Sequence, residues 1–227
     1  MFFASEVFDL RENCKICQSP TREIVYQKFA LLFHCCDECG FIWKDDQQKI
    51  SSEAEFKIYQ THNNSIDAPH FVRYFNNFIY AAVLPYRSEG RQGLDFGSGP
   101  SPVLAMLLER DYGYRMDIYD LFYAPAKVFQ GNQYDLVTCT EVVEHLADPV
   151  MYFKLLRSLL RPDGILGVMT LFHQRDDAKF LDWFYIRDLS HVSFYTPQAL
   201  RLMAEKVGLQ VVYTDEHRYT TLKLREE

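Results

Sequence analysis

Residues 93–102 read GLDFGSGPSP, and the amphipathic run VLAMLLER follows at once from Val103 to Arg110. An apolar residue and an acid lead into a Gly-x-Gly turn. Strand, tight turn and helix N-terminus in that order are how an open α/β sheet builds a nucleotide pocket. Gly97 and Gly99 lack a Cβ, so the backbone can bend sharply there and approach a ligand closely. Pro102 suits the first helical turn, where its missing N–H removes nothing. A dinucleotide fingerprint would place a third glycine at that position, so proline speaks against NAD or FAD. A glycine turn is not diagnostic alone, because strand-to-helix turns use glycine widely. The residues after it carry the reading.

Asp120 closes the apolar run RMDIYD, about 20 residues beyond the turn, where a second strand would end and a carboxylate could accept ribose hydroxyls. Asp117 in the same run is its rival, and a solvated acid at a strand end is the plain alternative. Next comes YDLVTCTEVVEHL (134–146), apolar at Leu136 and Val137 and polar from Thr138 to Glu141. LLRSLLRPDGILGVMTL (155–171) then gives a helix, a Pro-Asp-Gly turn and another buried strand. With these pieces in this order, the chain resembles the class I S-adenosylmethionine (SAM) methyltransferases. The resemblance implies an α/β fold, a Rossmann-like doubly wound, mostly parallel sheet with an antiparallel last strand. GLQVVYTDEHRYTTLKLRE (208–226) supplies the two final strands, joined at Asp215 and Glu216. It implies SAM as cofactor, held by Asp95, Phe96, Gly97, Ser98, Gly99, Pro100, Asp120, Leu121, Thr140 and Glu141. Asp95 would lie near the methionine amino group and Asp120 on the ribose.

The pattern is broken in one place. From Asp120 to Asp135 the chain advances only 15 residues, where the family fits a helix, a third strand and another helix. A shortened strand-three region is expected, without the acid that often meets the adenine amino group. Adenine recognition would fall to backbone groups and to apolar cover from Leu121, Phe122 or Tyr123.

The cysteines mark a second module. Cys14-Lys-Ile-Cys17 and Cys36-Asp-Glu-Cys39 are two Cys-x-x-Cys knuckles with 18 residues between them. Such pairs can offer four thiolates to tetrahedral zinc, and the intervening REIVYQKFALLFHC alternates enough for a β-hairpin, together a small N-terminal zinc ribbon. Disulfides are the alternative in an oxidising compartment. Cys35 and His34 stand beside the second knuckle; the spacing prefers Cys36, and His34 reads as an exposed strand histidine. A piece this small needs a metal or disulfides to hold together, so the zinc would be structural.

Length and composition agree. A chain of 227 residues at 48% hydrophobic can bury one sizeable core plus a small appendage. No apolar run approaches the ~20 residues that span a bilayer, and MFFASEVFDLREN has no basic region of a secretion signal. The expectation is a cytoplasmic protein with no membrane partner. A net charge of −7 disfavours bulk nucleic acid as a partner and leaves a local basic patch open. No repeat, low-complexity tract or Gly/Ser linker interrupts the chain. The expected division is a ribbon at 1–45, a helical lid or linker at 46–88 and the SAM-binding domain at 89–227.

In the linker, Ser51 to Glu55 look like a helix start, and Phe71, Tyr74, Phe75, Phe78 and Ile79 recur at helical spacing to pack on the sheet. Tyr59, His62, Asn63 and Asn64 either face the substrate from a lid or form a capping cluster before Pro69.

Methyl transfer from SAM requires an aligned nucleophile, exclusion of water and, for a hydroxyl, help in losing a proton. Glu141-Val-Val-Glu144-His145 would lie just past the fourth strand; on a helix Glu141, Glu144 and His145 share a face. His191 follows in the aromatic segment DWFYIRDLSHVSFYTPQAL. This pattern resembles the metal-dependent small-RNA 2′-O-methyltransferases and the ubiquinone-pathway O-methyltransferases. The resemblance implies Glu141, Glu144, His145 and His191 as ligands of a possible second divalent ion that acidifies the substrate hydroxyl. A structural role for the Glu-His pair is the alternative. Candidate catalytic residues are therefore His145, His191, Glu144 and His62. The 172–194 segment would line the substrate site, with Trp183, Phe184, Tyr185, Phe194 and Tyr195 as an apolar wall and Arg187, Asp188 and His191 as polar anchors, or else be pinned to the core by its aromatics.

The expected function is O-methylation of a small molecule. The alternatives are sugar C-methylation, RNA methylation or a non-catalytic SAM-fold protein whose ribbon docks a partner.

Overall fold

The computed structural model of the chain describes residues 12–60 and 65–226. His62, Asn63 and Asn64 lie outside the described residues. After the knuckle at Cys14 come β1 (Thr21–Tyr26), β2 (Leu31–Cys36) and β3 (Ile42–Lys44), then α1 (Ser52–Tyr59) and α2 (Pro69–Phe78). The alternating half follows: β4 (Gln92–Phe96), α3 (Val103–Tyr112), β5 (Arg115–Tyr119), β6 (Tyr134–Thr140), α4 (Pro149–Ser158) and β7 (Leu160–Met169). The chain ends through α5 (Asp177–Asp182), β8 (Ser193–Phe194), α6 (Pro197–Val207), β9 (Leu209–Thr214) and β10 (Tyr219–Leu224).

The main sheet has the order β5-β4-β6-β7-β10-β9. β5, β4, β6 and β7 run parallel, and β10 pairs antiparallel with both β7 and β9. This is the doubly wound architecture expected, antiparallel strand included. The chain leaves β4 for one side to make β5 and returns on the other to make β6. That reversal opens a crevice outside their carboxyl ends, where open α/β sheets bind ligands. Between β5 and β6 no strand forms, and the segment is held by an isolated bridge from Asp120 to Ala124.

Strand alternation sorts the core onto two faces. Leu136, Ile165 and Met169 pack with Phe75 and Phe78 of α2 and with Val103, Leu104 and Leu107 of α3. Their neighbours Val137, Cys139, Leu166 and Val168 pack on the opposite face with Phe153 and Leu156 of α4 and Leu200 and Met203 of α6. Caps agree with sequence: Ser51 Oγ accepts from Ala54 N at the start of α1, and Thr196 does the same for α6. Pro102 occupies the cap position of α3 and not its first turn. Residues 79–83 continue α2 as a π-turn, which buries Ile79, Ala82 and Val83.

Pro162-Asp163-Gly164 makes no separate turn: β7 begins at Leu160 and runs through it with a register shift against β6. A Cβ on Gly164 would lie 2.7 Å from Tyr134 O, so glycine permits this close pairing. Phe194 and Tyr195 are fully buried and pin the end of the 172–194 segment to the core.

β1, β2 and β3 form the expected hairpin and a third strand, and β3 pairs with β8. The ribbon thus shares a four-stranded sheet with the segment carrying Ser193 and Phe194. His34 is buried, stacked on Trp43 and bonded to Asp45 at 3.0 Å, because β3 covers the strand edge it was expected to expose. Among the described residues no helix is long and apolar enough to cross a membrane.

Phe78 tests the α2 face. Its ring is fully buried and lies 5.5 Å from the Tyr219 ring, and a Cβ on Gly167 would come within 2.9 Å of it. Phe78→Ala should lower unfolding free energy by about 3–5 kcal/mol, seen in urea melts as a lower midpoint with unchanged slope.

Candidate functional site

The glycine turn is tied to the next strand before any ligand arrives. Gly97 N and Ser98 N donate to Tyr119 O at 2.7 and 3.1 Å, and Gly99 N donates to Asp120 Oδ2 at 3.0 Å. The other Asp120 oxygen accepts from Phe122 N and Tyr123 N. Asp120 therefore organises both loops at the crevice. Asp117 is engaged elsewhere, accepting from the Tyr134 hydroxyl at 2.7 Å. Gly97 has φ +88°, and a Cβ there would sit 2.1 Å from Val142 Cγ2, so only glycine fits. Ser98 Oγ is buried with no partner among the described residues. A crevice kept clear of Cβ atoms, an orphaned hydroxyl and a carboxylate at the strand end fit a nucleoside with a polar tail.

Asp95 is buried at the carboxyl end of β4 and accepts from Thr138 Oγ1 at 2.8 Å. Burial pushes its carboxyl up to about 6 despite that bond. Thr140 ends β6, and Glu141 follows with φ +52°, a conformation side chains rarely adopt. Leu121 is exposed, whereas Phe122 and Tyr123 pack under Phe56 of α1 at 5.1 and 5.8 Å between ring centres. Tyr59 stacks on Phe122 and meets the His145 ring edge-on at 5.2 Å. Helix α1 thus spans from the loop after β5 to His145.

Glu141, Glu144 and His145 do not share a helix face. Only Val143–His145 make a single 3-10 turn, because Glu141 bends the chain as β6 ends. Glu141 is taken by two tyrosines: Tyr74 donates to Oε1 at 2.7 Å and Tyr185 to Oε2 at 3.2 Å. It does not join the candidate metal group. Glu144, His145 and His191 do come together, each offering a ligand atom within 4.8 Å of the others.

Glu144 is fully buried; Oε1 accepts from the Tyr185 hydroxyl and Oε2 has no partner among the described residues. Burial, with the Glu141 charge nearby, raises its carboxyl well above the usual range. His191 Nδ1 faces Tyr185 O at 2.8 Å and His145 Nδ1 faces Ser190 O at 3.2 Å. A carbonyl partner assigns the proton to Nδ1 in both rings and the lone pair to Nε2, the tautomer of metal-binding or basic imidazole. Burial lowers the basicity of His191 and so favours the neutral ring. Spacing alone did not reveal the two tyrosine hydroxyls: Tyr74 read as a packing residue and Tyr185 as a pocket wall.

In the ribbon, the sulfurs of Cys14, Cys17, Cys36 and Cys39 all lie within 4.8 Å of one another. Cys14 and Cys39 are 3.6 Å apart and Cys17 and Cys36 3.4 Å, close to the ~3.8 Å expected for tetrahedral zinc with Zn–S bonds of ~2.3 Å. Backbone N–H groups of Ile16, Cys39 and Phe41 point at the sulfurs. Cys35 faces away into another apolar cluster, with its thiol pushed up to about 11 by burial. His34 and Cys35 stand outside the cluster.

A cavity of about 560 Å³ lies apart from these residues. It runs along α4, lined by Phe96, Tyr119, Phe129, Met151, Tyr152 and Leu155, and it touches none of Gly97, Asp120, Glu144 or His191. It is an open groove.

A family model described as a methyltransferase domain matches residues 68–214. The chain is 34% identical over 130 residues to a ubiquinone biosynthesis O-methyltransferase of Dinoroseobacter shibae, covering 53% of this chain and 51% of that one. It is 29% identical over 129 residues to the protein of the same name from Aeromonas salmonicida, covering 52% and 53%. The chain therefore spans about half the length of the relatives it matches. The structure of an O-methyltransferase family protein from Burkholderia thailandensis superposes with a TM-score of 0.54 at 18% identity, covering 76% of this chain and 64% of that one. That likeness concerns the fold.

Asp95 gives a pH-dependent prediction. Its folded value of about 6 exceeds the ~3.9 of an unfolded aspartate. The associated stability is present in full below about pH 4 and lost as pH rises through about 6. Without ligand, Asp95→Asn should be more stable than wild type near neutral pH by up to about 3 kcal/mol. Urea melts in a pH series should show that advantage vanish towards pH 4.

Proposed function

The chain belongs to the methyltransferase-domain family, and from that premise we propose that it transfers a methyl group from SAM to an oxygen of a small molecule. The observation that carries the proposal is one juxtaposition. The Gly97–Gly99 turn and Asp120 flank the crevice outside β4, and Glu144, His145 and His191 cluster beyond the end of the neighbouring β6. The relatives named as O-methyltransferases point the same way. The net charge of −7 favours a small acceptor over a polynucleotide.

Asp95, Phe96, Gly97, Ser98, Gly99, Pro100, Asp120, Leu121 and Thr140 are the proposed SAM-binding set, with Glu141 left out because Tyr74 and Tyr185 occupy its carboxylate. Asp120 would hold the ribose and Asp95 the amino end of the methionine. The bound sulfonium supplies an already activated methyl for in-line displacement. The chain's own task is to orient the acceptor, exclude water and take its proton. Glu144, His145 and His191 suit a divalent ion, whose chemistry would be to acidify the acceptor hydroxyl; Glu141 is better assigned to anchoring α2 through Tyr74. A second reading rests on the neutral His191: an imidazole Nε2 takes the hydroxyl proton as the O–CH₃ bond forms and the S–CH₃ bond breaks. We assign structural zinc to Cys14, Cys17, Cys36 and Cys39, and divide the chain into a ribbon at 1–45, a helical strap at 46–88 and the SAM-binding domain at 89–227.

Calorimetry should register binding of SAM and of its demethylated product, weakened about 10–100-fold by Asp120→Ala. Binding of NAD in their place would overturn the proposal. If an ion assists, Glu144→Gln should abolish turnover while sparing SAM affinity, and mild chelation should do the same reversibly. If an imidazole acts alone, chelation has no effect and His191→Ala still slows turnover.

Elemental analysis should find a single zinc per chain that Cys36→Ser removes and Cys35→Ser leaves in place, an assignment the sulfur positions support. Because closed thiolate sites contribute folding energy directly, Cys36→Ser should also lower the melting temperature.

A further inference from the structure

Lys44 is the last residue of β3, five positions beyond Cys39. It is only 1% exposed. Lysine is almost never buried this far without a partner, and a side chain needed only to fill space would be methionine or leucine. Its Nζ donates to Leu189 O at 2.7 Å, and its backbone N donates to Val192 O at 2.9 Å. Burial pulls the ammonium down to about 8, against support from the Asp188 carboxylate.

The loop held this way is the one that builds the site. Between those two carbonyls stand Ser190, whose carbonyl faces His145 Nδ1, and His191 itself. Val192 N donates to Glu144 O at 2.8 Å, and His191 N to Asp188 O at 3.2 Å. Asp188 in turn accepts from both the backbone N and the hydroxyl of Ser190. Residues 188–192 are therefore clamped on one side by Lys44 of the ribbon and on the other by Glu144 and His145. Further ties run parallel: Lys15 Nζ reaches Ala147 O at 3.2 Å, and Thr196 Oγ1 donates to Cys39 O at 2.7 Å.

We propose that Lys44 is a positioning residue, whose ammonium group holds Leu189 and so sets where His191 and His145 stand. The cysteine-knuckled ribbon is then a working part of the site and not a separate appendage. This inference rests on the methyltransferase reading for its kinetic consequence only. Losing the Lys44 donor removes the tie between β3 and Leu189 O, which frees the loop at half-exposed Leu189 to shift. A displacement near an ångström costs about 10–100-fold in rate.

The test is Lys44→Met, which keeps the shape and removes the donor. The full-length variant is compared with wild type for SAM affinity, for kcat and KM on a methyl acceptor, and for the histidine ring signals in ¹H–¹⁵N spectra. The expected result is unchanged SAM affinity, a kcat lower by about 10–100-fold with little change in KM, and displaced ring signals for His191 and His145. Ring signals that stay in place, or a kcat that does not fall, overturn the proposal. Lys44→Gln keeps a donor on a shorter stem and carries the same readouts, with smaller shifts, should the methionine variant not fold. If wild type transfers no methyl group, the methyltransferase reading fails, and the ring signals alone still decide the role of Lys44.

Discussion

Parallel pairing of β4 between β5 and β6 is the constraint on which the rest depends. It forces the chain to leave β4 on one side and return on the other, so the turns that follow β4 and β6 diverge. Into that divergence the sequence places small residues and acids. Gly97 must adopt φ +88° beneath Val142, and Asp120 must accept from Gly99 N across the gap. These contacts preorganise the mouth, because loop geometry is set by strand ends rather than by a ligand.

The cost of building such a mouth is visible in its buried polar groups. Asp95 and Glu144 are both removed from water, and both carboxyls are displaced towards the neutral form. Neither is held by a cation among the described contacts. Asp95 has a threonine hydroxyl, and Glu144 shares the Tyr185 hydroxyl with Glu141. Buried groups of this kind weaken a fold unless fully bonded. Glu144 Oε2 is left without a partner where two histidines converge, which is the pattern of a group kept for chemistry.

The reduced strand-three region shapes the rest of the surface. With no strand beyond β5, the sheet ends in a five-residue edge. Phe96, Tyr119 and Phe129 meet in tilted and edge-on ring contacts along the open face beside α4. The loops at the crevice do not suffer, because Asp120 closes its own loop through Phe122 N, Tyr123 N and the bridge to Ala124. Helix α1 adds cover from above through Phe56 and Tyr59.

The family resemblance implied the parallel sheet, and short-range signals in the sequence determined the glycine turn, the acid after β5, the hairpin between the knuckles and the choice of Cys36 over Cys35. Each depends on residues a few positions apart, where periodicity and turn chemistry act. Tertiary structure alone decided the rest. Glu141 reads as a metal ligand by spacing, yet Tyr74, from a helix 67 residues earlier, claims it. His34 reads as exposed until β3 covers it. Lys44 carries no signal in the sequence, and only the pairing of β3 with β8 carries it under the loop of His191. These outcomes turn on contacts between distant segments, whose geometry is set by how the sheets pack and not by any local pattern.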